Sequence, residues 1–155
     1  MKGEIMNKLV TVDSKENSEF LRKKCLEIID INDDIKQLAE DMLNQLTPLK
    51  AIGLAAPQFG VSVQLFVLRL RGIELAMVNP VIDKEKGSHV VSESCLSIPG
   101  KFYKVKRPKK VKVSGLGLNY VPITFTGHDL LAQAICHEVD HLKGILVCDI
   151  VMGRK

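Results

Sequence analysis

The chain has 155 residues, of which 46% are hydrophobic, and this is enough for one compact domain with a real core. Charged residues make up 26% and the formal net charge of +4 is modest. Four cysteines without CxxC spacing indicate reduced thiols and exclude a disulfide scaffold. Because the N-terminus lacks an apolar signal segment and no apolar stretch reaches membrane-spanning length, we expect a cytoplasmic protein without a membrane partner.

The first predicted element is a polar, irregular segment over residues 1–17. Spaced apolar residues at 21–29 then predict a short packing segment, either helical or irregular. A clear helix follows, with Asn32 as the expected N-cap and Thr47-Pro48 as its end. Its apolar residues at helical spacing are Ile35, Leu38, Ala39, Met42, Leu43 and Leu46. We expect this helix to be purely structural.

Residues 51–60 form an unusual stretch, in which small residues dominate but one long amide, Gln58, is present. Small side chains let the backbone approach a ligand or a metal closely. The Gln58 NH₂ group is a candidate donor to a developing oxyanion, and the alternative is an amide that satisfies loop carbonyls. Composition alone leaves both roles open.

Alternating apolar residues predict strands at residues 61–70 and 73–81, and Asn79-Pro80 is expected to end the second of them. Another strand starts at residues 89–92 and leads into the segment 93–100. The remaining alternating segments are 109–113 and 121–125.

The excess of lysine and arginine is densest in residues 101–112. Such a run is compatible with a position near RNA or a ribosome surface. It also alternates with Val105, Val111 and Val113, as the solvated face of a strand does. This alternation favours the strand face, so no specific nucleic-acid partner is expected.

The motif His137-Glu138-Val139-Asp140-His141 lies in an apolar-periodic run from about residue 130 to 142 and is therefore placed on a helix. Residues four apart are about one turn apart, so His137 and His141 form a two-nitrogen metal clamp on one face. Glu138 lies about 100° round from His137, where it can touch a water on the metal without binding the metal. A solvated helix face is the alternative, but the surrounding residues are apolar.

This helix is expected to begin after Asp129 and to end before Gly144. There is no repeat, low-complexity tract or linker between the predicted elements. We therefore predict one α+β domain over residues 1–155, with antiparallel or mixed β-sheets packed around the central HExxH helix.

A catalytic metal needs a third protein ligand and one open coordination position. Val147 occupies the position where HExxHxxGxxH would place a third histidine, and no glutamate follows Glu138. Cys148 and Asp149 remain downstream, but they look like part of an apolar tail after Gly144, so an upstream ligand is expected. Cys95 is favoured because it lies in a strand-to-turn segment before Pro99-Gly100, and a Cys/His/His set is a known catalytic coordination. Spacing does not prove this choice. The upstream candidates are Cys25, His89, Glu93, Cys95 and His128.

Three segments together resemble the peptide deformylase family, whose ordered patterns are GxGLAAPQ, EGCLS and QHExDHLxG. They are residues 51–58, 93–97 and 136–144. The resemblance extends from the Asn32 helix to the end of the chain, and three ordered motifs are far more specific than one HExxH. The match is to a short form that lacks the long C-terminal helix of many bacterial members.

The resemblance implies that Cys95, His137 and His141 bind one divalent metal ion, Fe²⁺ in the cell, with Zn²⁺, Ni²⁺ or Co²⁺ as alternatives. It also implies hydrolysis of the N-formyl group from formyl-methionyl nascent peptides, with release of formate. The implied partners are these peptides and the ribosome near the tunnel exit.

The resemblance further implies that Glu138 is the general acid and base, and that Gln58 and the Leu96 backbone N–H stabilise the oxyanion. The positions that it implies for substrate binding, lining or flanking a methionine pocket, are Ile52, Gly53, Val91, Glu93, Leu130, Gln133 and Ala134.

The chain departs from the family pattern at Ala51, Ser94, Cys136 and Asp129, and none of these changes removes a predicted ligand or catalytic group. Two alternative functions are a general zinc peptidase and a non-enzymatic metal-binding or ribosome-associating module. The missing downstream ligand argues against the first, and the intact catalytic set argues against the second.

Overall fold

The computed structural model of the protein describes residues 9–153. The helices are α1 (Lys15–Leu21), α2 (Asp33–Leu46) and α3 (Leu130–Leu142), with 3-10 turns at Ala56–Phe59 and Val147–Asp149. The strands are β1 (Gly53–Ala55), β2 (Leu65–Leu70), β3 (Ile73–Lys86), β4 (His89–Cys95), β5 (Ile98–Arg107), β6 (Lys110–Leu116) and β7 (Pro122–His128).

Five strands form one antiparallel sheet in the order β1-β2-β3-β6-β7, and β4 and β5 form a separate antiparallel pair. Helix α3 packs against the larger sheet through buried apolar residues such as Ile135 and Val139, which meet Val111 and Val113 of β6 in one core cluster. The predicted α+β class, with antiparallel sheets around the HExxH helix, is confirmed. Among the described residues, no helix is both long enough and apolar enough to cross a membrane.

Helix α2 forms as the sequence predicts. The Asn32 side chain accepts a hydrogen bond from the Ile35 N–H at 3.0 Å, which satisfies one of the free donors at a helix start. The apolar face of α2 buries Ala39, Met42 and Leu46 in a second core cluster with β1 and β2 residues.

Several predicted bounds near the N-terminus are wrong. Residues 15–17 are not irregular, because Ser14 caps α1 through a hydrogen bond from the Asn17 N–H; residues 1–8 lie outside the described part of the chain. In the segment 21–29, Leu21 and Cys25 are buried as predicted. Leu26 and Ile29 are instead exposed, and the chain after Leu21 is irregular, which is one of the two predicted alternatives.

The strand predictions need two corrections. Strand β2 begins at Leu65 rather than residue 61, and β3 continues through Asn79-Pro80 to Lys86. A register shift between Val78 and Val81 accommodates the proline, since a bulge tolerates the missing N–H. Asn79 has φ +51° there, and its side-chain amide bonds the Ile28 backbone in both directions.

The two ends of α3 differ in how they match the sequence. Asp129 occupies the N-cap position, but it has φ +50° and its side chain makes no capping hydrogen bond. Gly144 follows the helix at φ +75°, and a Cβ there would collide with the Arg22 carbonyl. The predicted C-terminal glycine is therefore required by both its dihedral angle and its close packing.

Candidate metal centre and active site

Helix α3 and the end of β4 bring three predicted ligands together. One side-chain donor atom from each of Cys95, His137 and His141 lies within 4.8 Å of the other two. The Cys95 Sγ lies 3.3 Å from His141 Nε2. Cys95 reaches this position because the β4–β5 ladder shifts register after Ser94.

The chemistry of this set fits a divalent transition metal. A thiol and two imidazoles are the nitrogen and sulfur donors that Zn²⁺ and similar ions take in proteins. His141 is 1% exposed, and its burial lowers the pKa of the ring, which keeps the imidazole neutral for ligation.

His137 is held from behind by a carboxylate. Its Nδ1 lies 2.7 Å from Glu93 Oε2, so the opposite ring nitrogen is directed towards Cys95 and His141. Such a partner fixes the orientation and tautomer of a metal-binding histidine. Burial alone would raise the pKa of Glu93, but hydrogen bonds from His137 and Arg107 outweigh it and lower that pKa to about 2.

Arg107 links this carboxylate to helix α3. Its Nη2 and Nε donate to the two Glu93 oxygens at 2.6 and 3.0 Å, and its Nη1 donates to Asp140 Oδ2 at 2.7 Å. Arg107 as a whole is 5% exposed. Because Asp140 is on α3 and Glu93 is on β4, Arg107 of β5 joins three elements around His137.

Glu138 is buried beside the first strand. It is 4% exposed, and its Oε2 has no hydrogen-bond partner among the described residues. Burial raises the pKa of this carboxyl to about 7. A Cβ at Gly53 would lie 3.0 Å from Glu138 Oε1, so the absence of a side chain on β1 lets the strand pass close to the carboxyl.

Gln58 occupies the 3-10 turn after β1 and is 2% exposed. Its Oε1 accepts a hydrogen bond from the Ala55 N–H at 3.0 Å. Its Nε2 donates to Ser97 Oγ at 3.2 Å and lies 3.8 Å from Cys95 Sγ. The amide therefore satisfies the N–H of the last β1 residue rather than loop carbonyls, and its NH₂ group faces the thiol.

A cavity of about 690 Å³ opens onto this centre. The predicted site residues that line it are Ile52, Gly53, Gln58, Glu93, Cys95, Leu96, Leu130, Gln133, Ala134, His137 and Glu138. His141 is not part of the lining and is almost fully buried.

Val91 does not line this cavity. It packs instead against a third core cluster that includes Val105 and Val147, because it pairs with Val105 two residues before Glu93 on β4. Glu93 does line the cavity, but both of its carboxylate oxygens are bound by Arg107 and His137.

Sequence reasoning missed Arg107 and Ser97. Arg107 was placed with the solvated basic run, yet it follows Val105 at a spacing of two, and both are buried on the same side of β5. The spacing of two residues from Val105 was the sequence feature that could have indicated a buried Arg107. The Ser97 hydroxyl bonds Gln58 from 39 residues away, and no local pattern indicates it.

The fold and this centre define a class: hydrolases in which two histidines and a glutamate of one HExxH helix lie beside a third ligand from elsewhere in the chain. A sequence profile of the polypeptide deformylase family matches residues 6–155. The chain belongs to the polypeptide deformylase family, and it is an enzyme of the hydrolase class.

Relatives and solved structures agree with this assignment. The chain is 45% identical to peptide deformylase 2 of Clostridium acetobutylicum over 134 residues, which is 86% of this chain and 89% of that protein. It is 44% identical to the peptide deformylase of Thermoanaerobacter pseudethanolicus over 135 residues, 87% of this chain and 85% of the other.

Among solved structures, peptide deformylase from Thermotoga maritima superposes with a TM-score of 0.87 at 28% identity, covering 94% of this chain and 97% of that one. The Synechococcus elongatus enzyme in complex with actinonin has a TM-score of 0.87 at 37% identity, with 94% and 79% covered.

Proposed function

We propose that this chain hydrolyses the N-formyl group from the N-terminal formyl-methionine of nascent peptides and releases formate. The observation that carries the proposal is the convergence of Cys95, His137 and His141 beside the buried carboxyl of Glu138. Membership of the deformylase family supports the choice of substrate.

One divalent metal ion would be held by Cys95, His137 and His141, with Fe²⁺ the expected ion in the cell and Zn²⁺, Ni²⁺ or Co²⁺ as alternatives. When bound, such an ion acidifies water and polarises a carbonyl group. The Glu93 carboxylate supports this role because it accepts a hydrogen bond from His137 Nδ1 and so orients the ring.

Glu138 acts as the general base and then as the general acid. It takes a proton from the attacking water and delivers it to the leaving amine. A carboxyl whose pKa is raised to about 7 can both accept and release a proton near neutral pH. Its burial keeps bulk water from competing for that proton.

Gln58 and the Leu96 backbone N–H stabilise the negative charge that develops on the formyl oxygen. The Gln58 carbonyl is held by the Ala55 N–H and its NH₂ faces Cys95, so the donor is oriented before substrate arrives. Removing one such donor typically costs about 3 kcal/mol of transition-state stabilisation.

The methionine side chain binds among the cavity residues Ile52, Leu130, Gln133 and Ala134, and Gly53 allows the substrate backbone to approach β1. Val91 flanks this region from the neighbouring core cluster and acts only through packing. Glu93 acts through His137 rather than on the substrate, because its oxygens are already bound.

A cytoplasmic location and docking near the ribosomal tunnel exit follow from the proposed substrate and stay predictions. A general zinc peptidase and an inactive metal-binding module are the competing functions. The small, largely buried centre favours a small acyl group over a long peptide cleft.

The test is metal analysis of anaerobically purified protein, paired with formate release from formyl-Met-Ala-Ser and acetate release from acetyl-Met-Ala-Ser. We expect about one metal ion per chain and hydrolysis of the formyl peptide alone. Cleavage of an internal peptide bond would support a peptidase, and a metal-loaded protein inactive on both peptides would support the binding module.

A further inference from the structure

Four lysines form a square on the outer face of the larger sheet. Lys84 of β3 lies directly opposite Lys112 of β6, and Lys86 lies directly opposite Lys110. All four side chains are exposed, and none lines the large cavity. We refer to Lys84, Lys86, Lys110 and Lys112 as the lysine square.

Directly opposed like charges destabilise an antiparallel sheet. The same sheet shows the complementary arrangement elsewhere: Arg69 and Glu74 are opposed on β2 and β3 and form an ion pair of 2.9 Å. The two adjacent lysine pairs therefore differ from the rest of this sheet in their mutual repulsion. A bound anion would reduce that repulsion.

The nearby acids form no ion pair with the square within the described residues. Asp83 accepts a hydrogen bond from the Ser114 hydroxyl, and Glu85 pairs with buried Val111 and lines a small cavity on the opposite face of the sheet. Within residues 9–153, no lysine of the square forms an ion pair.

Strand β7 extends the face with further hydrogen-bond donors. His128 pairs with Lys110 and Thr126 pairs with Lys112, and both side chains are exposed. Hydroxyl and imidazole groups next to lysines are groups that donate to phosphate oxygens. The face thus offers three columns of donors on a rigid sheet.

We propose that the lysine square binds the phosphate backbone of double-helical RNA without reading its sequence. The two rows are about 7 Å apart along the strands and about 5 Å apart between strands, which suits closely spaced phosphates. Lysines act as point charges, so we expect the square to contribute binding affinity and not selection among base sequences.

The test compares RNA binding by paired charge reversals in the metal-loaded full chain. The probe is a fluorescein-labelled RNA duplex of roughly 16 base pairs, titrated over a range of salt concentrations. The variants are K110E/K112E and K84E/K86E, and K24E/K36E is the control because it changes the net charge equally at exposed positions away from the sheet.

Each reversal within the square should weaken binding at least about tenfold near 0.15 M salt and reduce the salt slope by about 2. The control should change affinity by no more than about twofold. Both square variants should melt at or above the wild-type temperature, because glutamate then faces lysine across the strands, and activity on a formyl peptide should stay unchanged.

Equal weakening in K24E/K36E would overturn the proposal, since net charge alone would then explain binding. A loss in only one of the two square variants would overturn it as well. Binding to vesicles of phosphatidylglycerol and phosphatidylcholine that is as tight as RNA binding, and equally sensitive to the reversals, would assign the face to a lipid surface instead. Inactivity of the wild type on formyl peptides leaves this test unaffected.

Discussion

The Glu93 carboxylate lies 2.7 Å from Nδ1 of His137. The same carboxylate accepts hydrogen bonds from Nε and Nη2 of Arg107. His137, a proposed metal ligand, is therefore oriented by Glu93 of β4, and Glu93 is in turn held by Arg107 of β5.

Loss of this contact should weaken metal binding without removing a ligand. We expect Glu93→Ala to reduce metal affinity about 10–100-fold, the usual effect of removing such an orienting partner, and Glu93→Gln to recover part of it. Competition with a chelator measures the affinity. Glu74→Ala, which breaks the exposed pair with Arg69, is the matched control, and an equal loss there would contradict the role of Glu93.

The same carboxylate should make stability depend on pH in the metal-free protein. Its folded-state pKa is lowered from 4.5 to about 2, so its contribution is complete above about pH 4.5 and is lost as pH falls towards 2. The shift corresponds to at most about 3 kcal/mol. Urea unfolding in excess chelator should show a difference between wild type and Glu93→Gln that shrinks across this range, and a constant difference would contradict the assignment.

Removal of the proposed acid and base should separate metal binding from turnover. Glu138→Ala should keep a full metal complement, because Cys95, His137 and His141 remain, and should lower kcat by about 10²–10⁴-fold. Metal content and formate release measure the two effects. Wild-type turnover in this variant would exclude Glu138 as the proton carrier.

The Gln58 amide should matter in the transition state more than in substrate binding. Gln58→Ala should lower kcat by about 10²–10³-fold with a much smaller change in KM. Gln37→Ala, at an exposed position on α2, provides the control. A rise in KM with kcat unchanged would instead assign Gln58 to ground-state binding.

The sequence predicts the local features of this protein well. The Asn32 cap, the spacing of His137 and His141 on α3, and the left-handed dihedral angle of Gly144 all depend on neighbours within about one helical turn. Each of these can be derived from a short window of sequence.

Features that depend on distant pairing were harder to predict. Arg107 binds Glu93 and Asp140, which are 14 and 33 residues away in the sequence. Because lysines surround Arg107 in the sequence, it was assigned to the solvated face of the strand, although its spacing from Val105 places it on the buried face. Asn79-Pro80 resembles a strand end, but β3 continues because a bulge and the Ile28 backbone accommodate both residues. Val91 shares one face of β4 with Glu93, but the cavity does not extend along the strand as far as Val91, and the sequence does not specify that extent.

The central claim is that the thiol of Cys95 shares one metal ion with the two histidines of α3. Absorption spectroscopy of the Co²⁺-substituted protein tests this most directly, because a thiolate ligand produces a characteristic charge-transfer band. We expect the band in the wild type and in Cys136→Ser, and its loss in Cys95→Ser. A band that persists in Cys95→Ser would contradict the claim.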